Sequence, residues 1–153
     1  MSKQSLVERA AKAVERFGAA ADVVDDAAAD AFGIIRTDLR IIGELVDAGG
    51  RMTAGQVAEA TGLSPAATTA AVQRLVEHGY VVREPDPADR RRVTVTLTAA
   101  AEQRVESVYG PVAEDGTAEL RRRTVAELEV IIDFLERGYA LQLEQAARIR
   151  AMG

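Results

Sequence analysis

Residues 53–98 read TAGQVAEATGLSPAATTAAVQRLVEHGYVVREPDPADRRRVTVTLT, and a change of period inside this stretch decides the fold. It opens on Thr53-Ala54-Gly55-Gln56, a Thr-x-x-Gln capping box in which hydroxyl and amide each satisfy a backbone N–H at a helix start. That helix is short, because Gly62 stops it. Ser64-Pro65 then begins another, with serine as N-cap and proline at the first helical position, where no N–H is needed. Thr68, Ala71, Val72, Leu75 and Val76 form its inward stripe. The helix runs to His78, which is placed to satisfy terminal carbonyls, and Gly79 takes the C′ position. From there the pattern alternates, first in Val81-Val82-Arg83-Glu84 and then from Val93 to Thr98, with valines and leucine on one face and threonines on the other. The segment between, Pro85-Asp86-Pro87-Ala88-Asp89-Arg90-Arg91-Arg92, is too long for a two-residue turn and holds two prolines, so it projects as a stiffened arm.

Two helices joined by a tight turn, followed by a basic-tipped hairpin, make a winged helix-turn-helix. Ala58 is small where the helices approach, Gly62 permits the turn and Leu63 plugs the space between them. The inward stripe leaves Ala66, Thr69, Ala70 and Gln73 on the outer face near the helix start, the part that enters a major groove in this motif. Gln73 has the donor and acceptor that match adenine N6/N7, Thr69 can meet a base edge or a phosphate, and Ala66 or Ala70 can touch a thymine methyl. Ser64 and Pro65 turn a helix N-terminus toward phosphate. Arg90, Arg91 and Arg92 suit a narrow, negative minor groove, with Asp86 or Asp89 to orient one of them.

Outward from this core the chain is helical. Leu6, Ala10, Ala13, Phe17, Ala21, Val24, Ala28 and Ala31 recur by three and four between Ser2 and Phe32, a long helix that ends at Gly33. Thr37 is the expected N-cap of a second helix through Leu39, Ile42, Leu45 and Val46. A further helix leaves Thr98, with a break expected at Gly110-Pro111 and an end at Asp115-Gly116. The last begins at the capping box Thr124-Val125-Ala126-Glu127, and Val125, Leu128, Ile132, Leu135, Tyr139, Leu143 and Ala146 form an apolar stripe that needs a partner helix. The fold class is therefore mainly α with a small β-hairpin, divided into residues 1–36, 37–98 and 99–153.

Composition narrows the function. Hydrophobic residues are 48% but aromatics only 4% of the 153 residues, which favours helices packed through alanine. Without cysteine there is no disulfide, thiolate metal site or thiol sensor, and one histidine excludes a multi-histidine metal cluster. No metal or cofactor is expected. Carboxylate pairs such as Asp25-Asp26 lie on helix surfaces without a glycine-rich phosphate loop, so no catalytic residues are assigned and the chain is expected not to be an enzyme. No apolar run is long enough to span a membrane and Met1 to Arg9 lacks the core of a secretory signal, so the expected location is cytoplasmic. The net charge of −5 resolves by segment: residues 1–50 carry six basic and nine acidic side chains, 51–98 six and five, 99–153 seven and ten. An arginine cluster acts locally, within a Debye length of about 8–10 Å, so overall acidity does not exclude a nucleic-acid partner.

Phe32 to Arg40, Thr53 to Gly62, Leu63-Ser64-Pro65, Gln73-Arg74-Leu75-Val76, Gly79-Tyr80-Val81 and above all Asp86-Pro87-Ala88-Asp89-Arg90-Arg91 ahead of Leu97-Thr98 resemble the MarR family, in order along nearly the whole chain. The resemblance implies a DNA-binding transcriptional regulator, a repressor under the control of a small-molecule effector. It also implies a homodimer built from the first helix and the last two, with Leu6, Phe17, Val125, Leu128, Ile132, Leu135 and Tyr139 at the contact. Thr69 and Gln73 then fall on the DNA-reading face and Arg90 and Arg91 on the wing tip, while Arg74 contacts phosphate or braces helix to wing. Members usually carry threonine, an apolar residue and arginine where this helix has Ala67, Thr68 and Ala70. The alternative is a degenerate winged-helix dimer, a protein-interaction module or weakly specific DNA binder. No effector can be named; Asp38, Arg40 and Val105 line faces where a crevice is expected.

Overall fold

The computed structural model describes residues 2–86, 88–89 and 92–152. In order it contains α1 (Lys3–Phe32), α2 (Arg36–Asp47), β1 (Arg51–Thr53), α3 (Ala54–Thr61), α4 (Pro65–Glu77), β2 (Val81–Pro85), β3 (Val93–Leu97), α5 (Ala99–Arg121) and α6 (Val125–Arg150). The chain divides into two compact units, residues 1–108 and 109–153.

In the first unit, α1 is capped by Ser2, whose hydroxyl accepts from the Ser5 N–H. Only the end of α1 is buried, at Ala28, Ala29 and Phe32, where it packs on α2. The stripe of α2 supplies Leu39, Ile41, Ile42 and Leu45, which meet Val57 of α3 and Val72 and Leu75 of α4 in the core. Each such side chain contributes about 1.5–3 kcal/mol on leaving water. Helix α2 starts at Arg36 with Ile35 as N-cap and no side-chain cap, two residues earlier than an N-cap at Thr37 predicts. The reason is tertiary: the Arg36 guanidinium bonds Asp26 and the side chain and carbonyl of Asp22 on α1, which draws this residue into the helix start.

The sheet is antiparallel in the order β1-β3-β2. Met52 lies opposite Val95, and Val81 opposite Leu97. Strand β1 was not expected, since three residues are too few to show a period. It makes β3 the central strand, and the expected division of faces fails there: Thr94 is as buried as Val95, its hydroxyl accepting from Arg51 Nη2 at 3.5 Å, while Val93 is exposed.

In the second unit, the end of α5 and α6 are joined through a turn at residues 122–124. Thr124 and Glu127 form the predicted capping box, the Thr124 N–H donating to the Glu127 carboxylate at 2.8 Å. The expected break at Gly110-Pro111 and end at Asp115-Gly116 do not occur; α5 is continuous to Arg121. Proline removes one backbone bond and costs about 3 kcal/mol inside a helix, which the turns on either side outweigh here. No side chain of α6 is buried. Among the described residues, no helix is long and apolar enough to cross a membrane.

Candidate nucleic-acid interface

Helix α4 is mounted through its start. Gly62 ends α3 at φ 69° and its N–H donates to the Ala58 carbonyl at 2.9 Å, a left-handed conformation that a side chain disfavours. Ser64 then caps α4, its hydroxyl accepting from the Ala67 N–H. The stripe Thr68, Ala71, Val72 and Leu75 is buried, which leaves Ala66, Thr69, Ala70 and Gln73 in solvent. The Thr69 hydroxyl donates to the Pro65 carbonyl at 2.9 Å. Gln73 is held at both ends of its amide: Nε2 donates to Glu77 Oε1 at 3.1 Å, and Oε1 accepts from Arg83 Nη1 at 3.5 Å.

Arg74 turns the other way. Its Nε and Nη2 donate to the two carboxylate oxygens of Asp38 at 2.8 and 2.6 Å, and that hydrogen bond first, with the opposing charge of Asp38 behind it, raises the guanidinium pKa above its ordinary value. Asp38 is buried, so this fork fixes α4 to α2 rather than to the wing. The residue joining recognition helix to wing is Arg83 on β2, which sequence reasoning passed over. Asp38 did leave a trace: it is an acid on the inward stripe Asp38, Ile41, Ile42, Leu45, where a buried charge requires a partner.

The wing is stapled at its base. The Asp86 N–H donates to the Arg92 carbonyl at 2.9 Å, and Asp86 Oδ1 accepts from the N–H groups of Ala88 and Asp89 at 2.8 and 3.4 Å. Arg92 Nε lies 3.7 Å from Asp89 Oδ2, so Asp89 orients an arginine while Asp86 shapes the loop. Arg90 and Arg91 lie outside the described residues, as does Pro87. At the other end of the hairpin the Thr98 hydroxyl donates to the Gly79 carbonyl at 2.7 Å and accepts from the Ala101 N–H, tying the end of α4 to the start of α5. Tyr80 joins this end of the head to α1, its hydroxyl donating to the Phe32 carbonyl at 2.8 Å and its ring meeting Phe32 edge-on; Arg104 of α5 donates to the Ala31 carbonyl. His78 Nδ1 is 2.8 Å from the Arg74 carbonyl, the terminal role its position predicts.

Of the residues expected at a dimer contact, Leu6 and Phe17 of α1 and Val125, Ile132, Leu135 and Tyr139 of α6 are exposed in the single chain, and Leu128 is half-buried. Asp38 and Arg40 are already engaged, by Arg74 and by the Ala60 carbonyl, and open hollows lie instead along α3, one of about 660 Å³ beside Gln56, Glu59 and Arg92. Among the described residues no group of acids and histidine is arranged to hold a metal ion.

Helices α2 to α4 carrying a three-stranded sheet, with an exposed outer face on α4 and a hairpin beside it, define a winged helix-turn-helix protein. The profile of the MarR family matches residues 32–92. Over 149 residues the chain is 34% identical to the "Uncharacterized HTH-type transcriptional regulator YcgE" of Bacillus subtilis (strain 168), covering 97% of this chain and 96% of that protein. The chain belongs to the MarR family. Its fold is shared with a mutant MarR from E. coli complexed with operator DNA (20% identity, 90% of this chain and 98% of that one, TM-score 0.58). It is shared also with NadR in complex with 4-hydroxyphenylacetate (23% identity, 90% and 92%, TM-score 0.59).

Proposed function

We propose that this chain is a sequence-specific double-stranded DNA-binding regulator of transcription, a cytoplasmic homodimeric repressor whose affinity a small molecule modulates, with no enzymatic activity. The observation that carries the reading is the outer face of α4: its inward stripe is buried, Ala66, Thr69, Ala70 and Gln73 are left free of the core, and Arg83 links that face to the wing. The head assigned to DNA is residues 37–98. Ser64 and Pro65 meet phosphate, Ala66, Thr69, Ala70 and Gln73 meet base edges, and Asp89, Arg90, Arg91 and Arg92 form the wing contact. Arg74 serves the site as a brace. Support for DNA and for a small molecule comes from the relatives of like fold that hold operator DNA and 4-hydroxyphenylacetate.

Residues 1–36 and 99–153 are assigned to dimerisation, since a water-facing stripe of this size marks a contact surface. A dimer would span half-sites about 34–36 Å apart. Titrating labelled genomic duplexes with purified protein tests the reading: affinity for a preferred site should fall by about 10³–10⁵ between about 50 and 200 mM salt if six to ten phosphates are met, yet remain above that for unrelated DNA. A second reading, a weakly specific binder, is favoured by one observation, the withdrawal of Arg74 from the outer face. Equal affinity for every duplex would select it.

A further inference from the structure

Helix α4 carries a single cationic side chain, Arg74, and its Nε and Nη2 donors, one edge of the guanidinium, are committed to the shielded carboxylate of Asp38. The usual reader of guanine, an arginine forked onto O6 and N7, is therefore missing from this helix. The Thr69 hydroxyl proton is engaged by the Pro65 carbonyl. What remains exposed near the helix start is the methyl groups of Ala66, Ala67 and Ala70. One turn on stands Gln73, whose amide is aligned by Glu77 at its nitrogen and Arg83 at its oxygen. An amide has two N–H groups and two oxygen lone pairs, so each end keeps one free, a donor for adenine N7 and an acceptor for adenine N6. Glu77, one turn further along the helix, has its Oε1 turned to Gln73.

We infer that α4 reads an A·T core in each half-site, through thymine C5-methyls against Ala66 and Ala70 and an adenine against Gln73, with no guanine contact from this helix. The inference rests on the DNA-binding reading above. Methyl groups pressed against guanine O6/N7 or cytosine N4 would strip those groups of water without replacing the bonds, whereas against a thymine methyl they bury apolar surface on both sides. Sequence-independent affinity then falls to the helix start and to the arginines of the wing and β2.

Selection of tight binders from a random-sequence duplex library by the full-length protein tests this, followed by synthesis of the recovered site with uracil in place of thymine. Uracil keeps every hydrogen bond and lacks only the methyl. The expected result is an A·T core and a loss of about four- to fifteenfold on uracil replacement within it, the value of one or two buried methyls. Ala70→Ser should reduce that penalty, and Gln73→Ala should erase the adenine preference at one position per half-site while the uracil penalty stays. A core of G·C pairs, or indifference to the missing methyls, overturns the inference and leaves the protein a DNA binder. Recovery of no preferred duplex at all removes the DNA-reading role of α4 and this inference with it.

Discussion

Asp38 is 1% exposed whereas the Arg74 side chain it holds is 40% exposed, and that inequality says which half of the pair the fold depends on. Arg74→Ala leaves a carboxylate buried without its counterion and should cost about 3 kcal/mol. Asp38→Ala lets the guanidinium turn to water and should cost less, about 1–2 kcal/mol. Urea unfolding of the two variants checks the order, and a larger loss from Asp38→Ala contradicts it. Glu127 gives a pH-dependent case. The Thr124 N–H, then the Thr124 hydroxyl, holds the Glu127 carboxyl below the ordinary carboxylate range. A depressed folded value means that the cap stabilises above that range and fades as pH falls through it. The melting temperatures of the native chain and Glu127→Ala should therefore differ most near neutrality and converge in acid.

Single elements are held by their ends. An added Cβ at Gly62 meets nothing within 4 Å, so the whole penalty of Gly62→Ala comes from φ 69°. That penalty should be about 1–2 kcal/mol, read as a lower denaturation midpoint with an unchanged slope. Element starts and stops built from local chemistry, such as Thr53 with Gln56, Ser64 with Pro65 and Thr124 with Glu127, were legible because each acts within three residues. The start of α2 was not, because Arg36 answers to Asp22 and Asp26 on another helix. The continuity of α5 through Pro111 was likewise hidden, since a local penalty says nothing of what the flanking turns gain. Of the candidate interface, the outer face of α4 was legible from spacing alone; the turning inward of Arg74 and the reach of Arg83 to Gln73 were not.

For the molecule as a whole, α6 buries none of its side chains, and Phe17 and Tyr139 are 75% and 68% exposed. Apolar side chains left in water along each of these two helices call for a second copy. Leu135→Glu should shift the protein toward monomer in sedimentation at micromolar concentration. Because two linked heads gain affinity from effective concentration, the same change should weaken operator binding by about 10²-fold or more while the head stays folded. Unchanged sedimentation would place the contact elsewhere.

Periodicity and caps, read along the chain, established the order of helices, the hairpin and the side of α4 that faces outward, since these depend on neighbours within a turn or two. Only the tertiary structure decided what the charged groups do. A guanidinium is long enough to serve either DNA or its own protein, and its choice depends on whether a buried carboxylate from a distant helix is brought within 3 Å. Asp38 is, and so Arg74 belongs to the scaffold.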